Sequence, residues 1–489
     1  MLAYHCEQST LNKTSQTLTA TPTANFWSST LGLKQASIID AASQLTISYT
    51  ELNQQVEALI KRLPAKRQLV ALIANNDVDF LVAYLALLRA KHVVLLLEKN
   101  NDLMSAQNQH LLEQYQVNYL IEQQAITQLH QGLIKLHPTL ALLLSTSGST
   151  GSAKLVKLSY QNLSTNTQAI CQYLPIKSTD CMVTTLPLHY SFGLSLLHTH
   201  LAVGANIVLT NATPLDKTLW QLYKVHQPSA FYGVPFSFDL LTKLNLERLP
   251  LSSVKYMAQA GGKLSPATCH TVNNWCQKYH KQLYLMYGQT EATARIAYLS
   301  PDKVSEKFNY IGQAIPNGQL AIRTKNNKIV TEANTLGELC YRGDNVFIGY
   351  AKSHEDLSTI ESIDWLATGD IAECDEAGDY RITGRLKRIA KILGKRINLD
   401  EIESYISQRT TIVFAIVSTD EMITLHCEEV NDNAIKMHDK TPSNLAQDIA
   451  DFCHIHSRYI SITYWPVLPR KSNGKIAYMA LSNTAAAQP

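Results

Sequence analysis

Residues 142–154, LLLSTSGSTGSAK, concentrate the groups most suited to holding an anion. An apolar run leads into Thr146, Ser147, Gly148, Ser149, Thr150 and Gly151, and the loop leaves through Lys154. Glycines and small hydroxyl residues let successive backbone N–H groups converge on one anion, while the hydroxyls add donors and the lysine adds a point charge. The chemistry this suggests is a cradle for a triphosphate. It is not the G-x-x-x-x-G-K-[ST] loop, because Gly148 and Gly151 are three apart and Ala153 precedes Lys154. A flexible Ser/Gly surface loop is the alternative. The apolar strand before it and the lysine at its exit argue against that.

Later segments are ambiguous when read singly. YGQTEAT (287–293) reads as a turn entering a helix, and Gly369-Asp370 as a hairpin. The run RLKRIAKILGKR reads as a solvated basic face, and Lys475 in PRKSNGKIAY as a lysine without a duty. Read together and in order, they resemble the signatures of the adenylate-forming (ANL) superfamily. That superfamily comprises acyl-CoA synthetases, aryl and fatty-acyl ligases, amino-acid adenylation domains and luciferases.

The resemblance implies a role for each matching residue. The 146–151 loop and Lys154 would hold the phosphates of ATP. In LPLHYSFGLS, Pro187, Tyr190 and Gly193 fall in register with P-x-x-[aromatic]-x-x-G, so Tyr190 would gate the carboxylate pocket with Ser191 beside it. Gly261 and Gly262 would let the purine and acyl chain approach the backbone. Tyr287 would stack on adenine next to Gly288, Thr290 would bond the α-phosphate, and Glu291 would hold Mg2+. Asp370 and Arg385 would reach the ribose. Lys387 would be the hinge, Gly394 would face a thiol after the lid swings, and Lys475 would be the catalytic lysine. The loop departs from the usual T-G-x-P-K-G in having Ala153 for proline and Leu155 for the last glycine.

These residues need a scaffold. Hydrophobic residues make up 45% of the 489 and charged residues 17%, a globular composition with room for two to four units. QLVALIA (68–74), a helix over 77–90 and HVVLLLE (92–98) read as strand, helix, strand, the signature of a parallel sheet. YTELNQQVEALIKRL reads as an amphipathic helix with Thr50 as its N-cap. The alternation continues to about residue 290, and short antiparallel strands follow from about 310. The expected fold class is α/β: a large multi-layer α/β N-terminal domain, residues 1–386, joined by a hinge to a small α+β C-terminal lid, residues 387–489.

A net charge of +3, from 43 basic and 40 acidic residues, is too balanced for a nucleic-acid binder or a membrane-surface protein. Nine scattered cysteines without a C-x-x-C pair, and an N-terminus without a signal pattern, suggest a reducing, cytoplasmic location. The stretch 81–97 holds Arg89, Lys91 and His92, so no membrane span is expected.

The expected function is ATP-dependent activation of a carboxylic acid, followed by transfer to the thiol of CoA or of a carrier protein's phosphopantetheine. The chain ends shortly after the Lys475 segment, so the thiol acceptor is expected from elsewhere. A stand-alone amino-acid adenylation protein that loads a separate carrier is the alternative. A nucleotide sensor without catalysis is a third reading, which the joint presence of Lys154, Glu291, Asp370 and Lys475 disfavours. Position 191 holds serine, where amino-acid-activating relatives usually place aspartate, and the surrounding segment looks apolar. Both features favour an acid without an α-ammonium.

Overall fold

The computed structural model describes residues 25–99, 105–145, 154–386, 388–392, 395–407, 410, 412–419, 422–429, 442–453, 455–471 and 474–485. The strands Leu69–Ala74 and Val93–Glu98 are buried along almost their whole length, and the helix between them, Val78–Arg89, is buried from Phe80 to Leu88. A strand apolar at every position needs both of its faces covered, which parallel pairing with crossover helices provides. The two strands pair in parallel, Leu69 beside Val93, in the middle of a seven-stranded sheet. These elements lie within a residue or two of their predicted places.

One helix start differs from the sequence reading. The helix Tyr49–Ile60 is capped by Ser48, not Thr50. The Ser48 hydroxyl accepts from the Glu51 N–H at 3.1 Å, and the Glu51 carboxylate accepts from the Ser48 N–H at 2.7 Å. This reciprocal pair satisfies two N–H groups, where Thr50 would satisfy one at most. The Thr50 hydroxyl instead donates to the Gly32 carbonyl at 2.7 Å.

The strand expected before the glycine-rich loop is Leu140–Ser145. It pairs antiparallel with Leu155–Ser159, with Ser145 opposite Leu155. The loop joins two neighbouring strands. Thr146, Ser147, Gly148, Ser149, Thr150 and Gly151 themselves lie outside the described residues.

A second sheet runs Ala230–Gly233, Tyr256–Gln259 and Gln282–Tyr287 in parallel, then adds two antiparallel strands. Its three parallel strands end at Gly233, Gln259 and Tyr287, the carboxyl edge where open α/β sheets present their ligand crevices. An antiparallel sheet follows, containing Leu336–Arg342, Leu366–Cys374 and Tyr380–Arg385.

From residue 389 the chain forms a hairpin, three further strands and flanking helices around an apolar core of their own, including Ile402, Ile416, Leu425 and Ile449. Arg388 ties the start of this region to its first helix. Its two terminal nitrogens donate to the Glu403 carboxylate at 2.9 and 2.8 Å. No helix among the described residues is long and apolar enough to cross a membrane.

Candidate active site

Three clusters form at the carboxyl edge of the second sheet. The first centres on Asp370. Asp370 and Arg385 face each other on paired antiparallel strands, and Arg385 Nε donates to Asp370 Oδ1 at 2.8 Å. The Tyr287 hydroxyl donates to the other carboxylate oxygen. Both partners respond: the Asp370 charge holds the Arg385 guanidinium above its usual value, and burial followed by that same charge pushes the Tyr287 phenol up. An ionised carboxylate offers about four lone-pair sites. Tyr287 and Arg385 occupy two, which leaves the number that a vicinal diol requires.

The second cluster joins the exit of the glycine-rich loop to the YGQTEAT turn. The short strand Tyr350–Ala351 pairs with Leu155–Ser159, Ala351 opposite Leu155. That register sets the Lys154 ammonium over the Tyr350 ring, 3.6 Å from its centroid. The Tyr350 hydroxyl donates to Glu291 Oε1 at 2.8 Å. The Glu291 carbonyl accepts from the Phe347 N–H at 2.8 Å, which fixes the turn against the same segment. Thr290 reaches toward the pocket, its Oγ1 3.5 Å from Ser191 Oγ.

Gly288 makes that turn possible. A Cβ on it would lie 1.8 Å from the Ala294 carbonyl oxygen. The turn is strained, with Thr293 at φ 56° and Ala294 at φ 113°. A β-branched residue with positive φ is a true outlier and persists only when its surroundings impose it. Here Asn345 imposes it. Its side-chain amide donates to the Ala292 and Arg295 carbonyls at 2.8 Å each, and its own carbonyl accepts from the Thr293 hydroxyl at 2.6 Å.

The third cluster brings Lys475 against the body of the protein. Gly261 has φ +86°, and a Cβ there would meet the Tyr190 hydroxyl at 2.6 Å and Lys475 Cε at 3.5 Å. The Lys475 ammonium lies 5.4 Å from the Tyr190 ring centroid. Burial, assisted by the Arg385 and Lys471 charges, lowers the Lys475 ammonium from its usual value to about 8. Gly474, at φ +76°, fits against Val234, and the Arg470 guanidinium covers the Phe236 ring at 4.4 Å. Gly262 packs on Pro235, and Gly193 allows its helix to pass the Pro187 carbonyl, which a Cβ would approach to 2.4 Å.

Lys154, Tyr190, Ser191, Gly261, Tyr287, Gly288, Thr290, Glu291, Asp370, Arg385 and Lys475 thus converge from distant parts of the chain. Lys387 and Gly394 lie outside the described residues. Two residues of the site were missed in the sequence reading. Tyr350 belongs to no signature and arrives through strand pairing. Arg295 is a lone charge in the apolar run ATARIAYL, and the structure buries it completely. The helix Ser191–Val203, read as apolar, also buries Ser195, His198, Thr199 and His200. Burial drives His198 down to about 3 and His200 to about 4, so both are neutral at pH 7.

Among the described residues, no three metal-ligating side chains come together. A divalent ion here would have Glu291 as its protein carboxylate and take its remaining oxygens from phosphate and water, the usual arrangement for Mg2+.

Residues 135–351 match the family described as AMP-binding enzyme. The long-chain-fatty-acid–CoA ligase of Salmonella typhimurium is 29% identical over 280 residues, covering 56% of this chain and 49% of that protein. The chain thus spans about half the length of such curated relatives. Among solved structures, a fatty acyl-adenylate ligase, from work on the enzymes of E. coli and L. pneumophila, superimposes with a TM-score of 0.75. It is 21% identical and covers 95% of this chain and 99% of its own. The o-succinylbenzoate coenzyme A synthetase of Bacillus subtilis, solved with ATP and magnesium ion, gives 0.74 at 19% identity, covering 93% and 98%.

Proposed function

We propose that this chain belongs to the adenylate-forming superfamily of AMP-binding enzymes, activates a carboxylic acid with ATP and passes the acyl group to a thiol. The observation that carries the reading is the convergence of Lys154, Glu291, Asp370 and Lys475 on one cleft. A carboxylate is a poor electrophile. Attack of its oxygen on the α-phosphorus of ATP makes the acyl–O–P bond and expels pyrophosphate, and positioning with charge neutralisation dominates such a step. Asp370 and Arg385 hold the ribose, and Tyr287 packs by the base. The 146–151 loop and Lys154 take the phosphates. Thr290 donates to the α-phosphate, and Lys475 bridges it to the substrate carboxylate. Glu291 would hold Mg2+, which would supply charge neutralisation at the phosphates.

The lid, from about Lys387 onward, then rotates. Lys475 leaves the cleft, and the face carrying Gly394 presents the thiol of CoA or of a carrier's phosphopantetheine. The expected signature is acid-dependent ATP–pyrophosphate exchange, followed by AMP release on adding CoA or a loaded carrier. Absence of exchange across fatty, aryl, hydroxy and amino acids would defeat the reading.

Two outcomes are expected of that assay. Lys475 acts as a cation, so its charge must be present, and in the free enzyme it is lost as pH rises through about 8. Above that, kcat/KM for ATP should fall about tenfold per pH unit, while kcat holds to higher pH because bound phosphates stabilise the ammonium. A kcat/KM profile flat to pH 9.5 would contradict the role.

The second outcome concerns the acid. Ser191 offers a hydroxyl where an α-ammonium would need a carboxylate, and an unpaired buried charge costs about 3–5 kcal/mol. A deamino acid is expected to outperform its α-amino counterpart in exchange. A tenfold preference for the amino acid, about 1.4 kcal/mol, would favour loading of amino acids onto a carrier instead.

A further inference from the structure

Arg295 is fully buried, yet its recorded partners are all neutral. Its Nε donates to the Tyr173 hydroxyl at 3.1 Å, its Nη2 lies 3.5 Å from Ser195 Oγ, and its guanidinium covers the Phe192 ring at 4.7 Å. Among the described residues no carboxylate forms an ion pair with it. Buried charges are ordinarily paired, because taking a cation out of water is costly.

The location is informative. Phe192 and Ser195 lie on the first two turns of the helix Ser191–Val203, and Ser191 is the residue that faces Thr290. Ser195, which the Arg295 guanidinium approaches, lies one helical turn from Ser191. Its charge reaches Tyr190, where it opposes the burial that pushes the phenol up to about 12. The strained pair Thr293 and Ala294, pinned by Asn345, directs the chain so that Arg295 points inward.

A second group lies nearby. Asn166 is fully buried, and neither its Oδ1 nor its Nδ2 has a partner. It is two turns from Tyr173 on one face of the helix Tyr160–Tyr173, and one turn from Asn162. The Asn162 amide donates to the Asp344 and Val346 carbonyls, on either side of the Asn345 that holds Arg295. Both ends of that face thus lead to the Arg295 segment, and the orphaned amide lies between them.

We propose that the acid this chain activates carries a second carboxylate, at the far end of its acyl group, which pairs with Arg295. The inference rests on the adenylation reading and deepens it by naming the substrate class. One helical turn spans roughly 5–6 Å, which straight-chain diacids of about four to six carbons bridge.

The test measures pyrophosphate exchange with succinate, glutarate and adipate against butyrate, valerate and hexanoate. Wild type, Arg295→Met and Arg295→Lys are compared, with each variant's thermal melting recorded. Wild type should prefer a diacid by 100-fold or more in kcat/KM over the monoacid of equal length. Arg295→Met should bring that ratio within threefold of one, and Arg295→Lys should keep part of it. Equal or better use of monoacids by wild type overturns the proposal. So does a Met variant that slows all six acids alike, which marks Arg295 as structural. If the Met variant does not fold, the wild-type ratio decides alone. If no acid at all supports exchange, the adenylation reading fails separately. Wild-type melting then decides the present point: a rise with a diacid and none with its monoacid supports it, and no difference overturns it.

Discussion

Lys475→Ala is expected to lower acid-dependent pyrophosphate exchange by two to three decades while sparing thioester formation from supplied acyl-adenylate. The ammonium lies by Tyr190 and Gly261, close to the Arg385 and Lys471 charges and the Asp370 and Glu291 carboxylates. There it is placed to meet charge that develops between the acid and the α-phosphate. Losing one positioned electrostatic partner at a transition state costs about 3–4 kcal/mol, which sets the size of the drop. On the proposed lid motion the second half-reaction is spared, because the rotated lid would carry Lys475 away. Assaying the two half-reactions separately, on a variant whose melting matches wild type, checks this. Equal loss in both would mean that Lys475 serves the fold or the nucleotide, not the first step.

Gly288→Ala is expected to be the most damaging small substitution at the site. The new methyl would lie 1.8 Å from the Ala294 oxygen, 2.7 Å from its carbonyl carbon and 2.9 Å from Arg295 Cα, all backbone atoms. Retreat is blocked, because the Ile296 N–H is bonded to the Tyr287 carbonyl at 2.9 Å and Asn345 clamps the far side of the turn. Overpacking without relief costs about 3 kcal/mol or more, and a melting temperature lower by roughly 4 °C or more should follow for a domain of this size. Exchange activity should fall with it, since Tyr287 and Glu291 flank the displaced turn. Gly369→Ala is the control. Gly369 has φ +76° but nothing within 4 Å of its Cβ position, so only backbone strain of about 1–2 kcal/mol is added. Comparable melting for the two variants would show that the turn gives way more easily than its contacts imply.

Part of the site was legible because a glycine beside a functional side chain is written locally in the sequence. Tyr287-Gly288, Gly369-Asp370 and Gly474-Lys475 each couple a flexible position to a functional group. The parallel strands were legible because Leu69–Ala74 and Val93–Glu98 leave no polar face. What escaped depends on contacts far apart in sequence. Tyr350 meets Lys154 only through strand pairing, across nearly two hundred residues. Arg295 looks like the wet edge of an apolar strand, and nothing in its neighbours reveals that Tyr173 and Phe192 enclose it. The Ser48 cap was missed because two hydroxyl residues flank Tyr49, and only the reach of Glu51 chooses between them.

The company that Lys475 keeps bears on how the lid responds to salt. Before any nucleotide enters, closing the lid brings this ammonium toward Arg385, with Lys471 alongside, and these charges weigh more on it than the Asp370 and Glu291 carboxylates do. On the proposed lid motion, closure of the empty cleft would be a meeting of like charges, and added salt, by screening them, would ease it. A bound triphosphate reverses the sign. The same ammonium is then drawn inward, and salt weakens the pull. Ionic strength would thus move the empty and the filled protein in opposite directions, and such a lid would respond to the charge in the cleft before it touched the shape of what lies there.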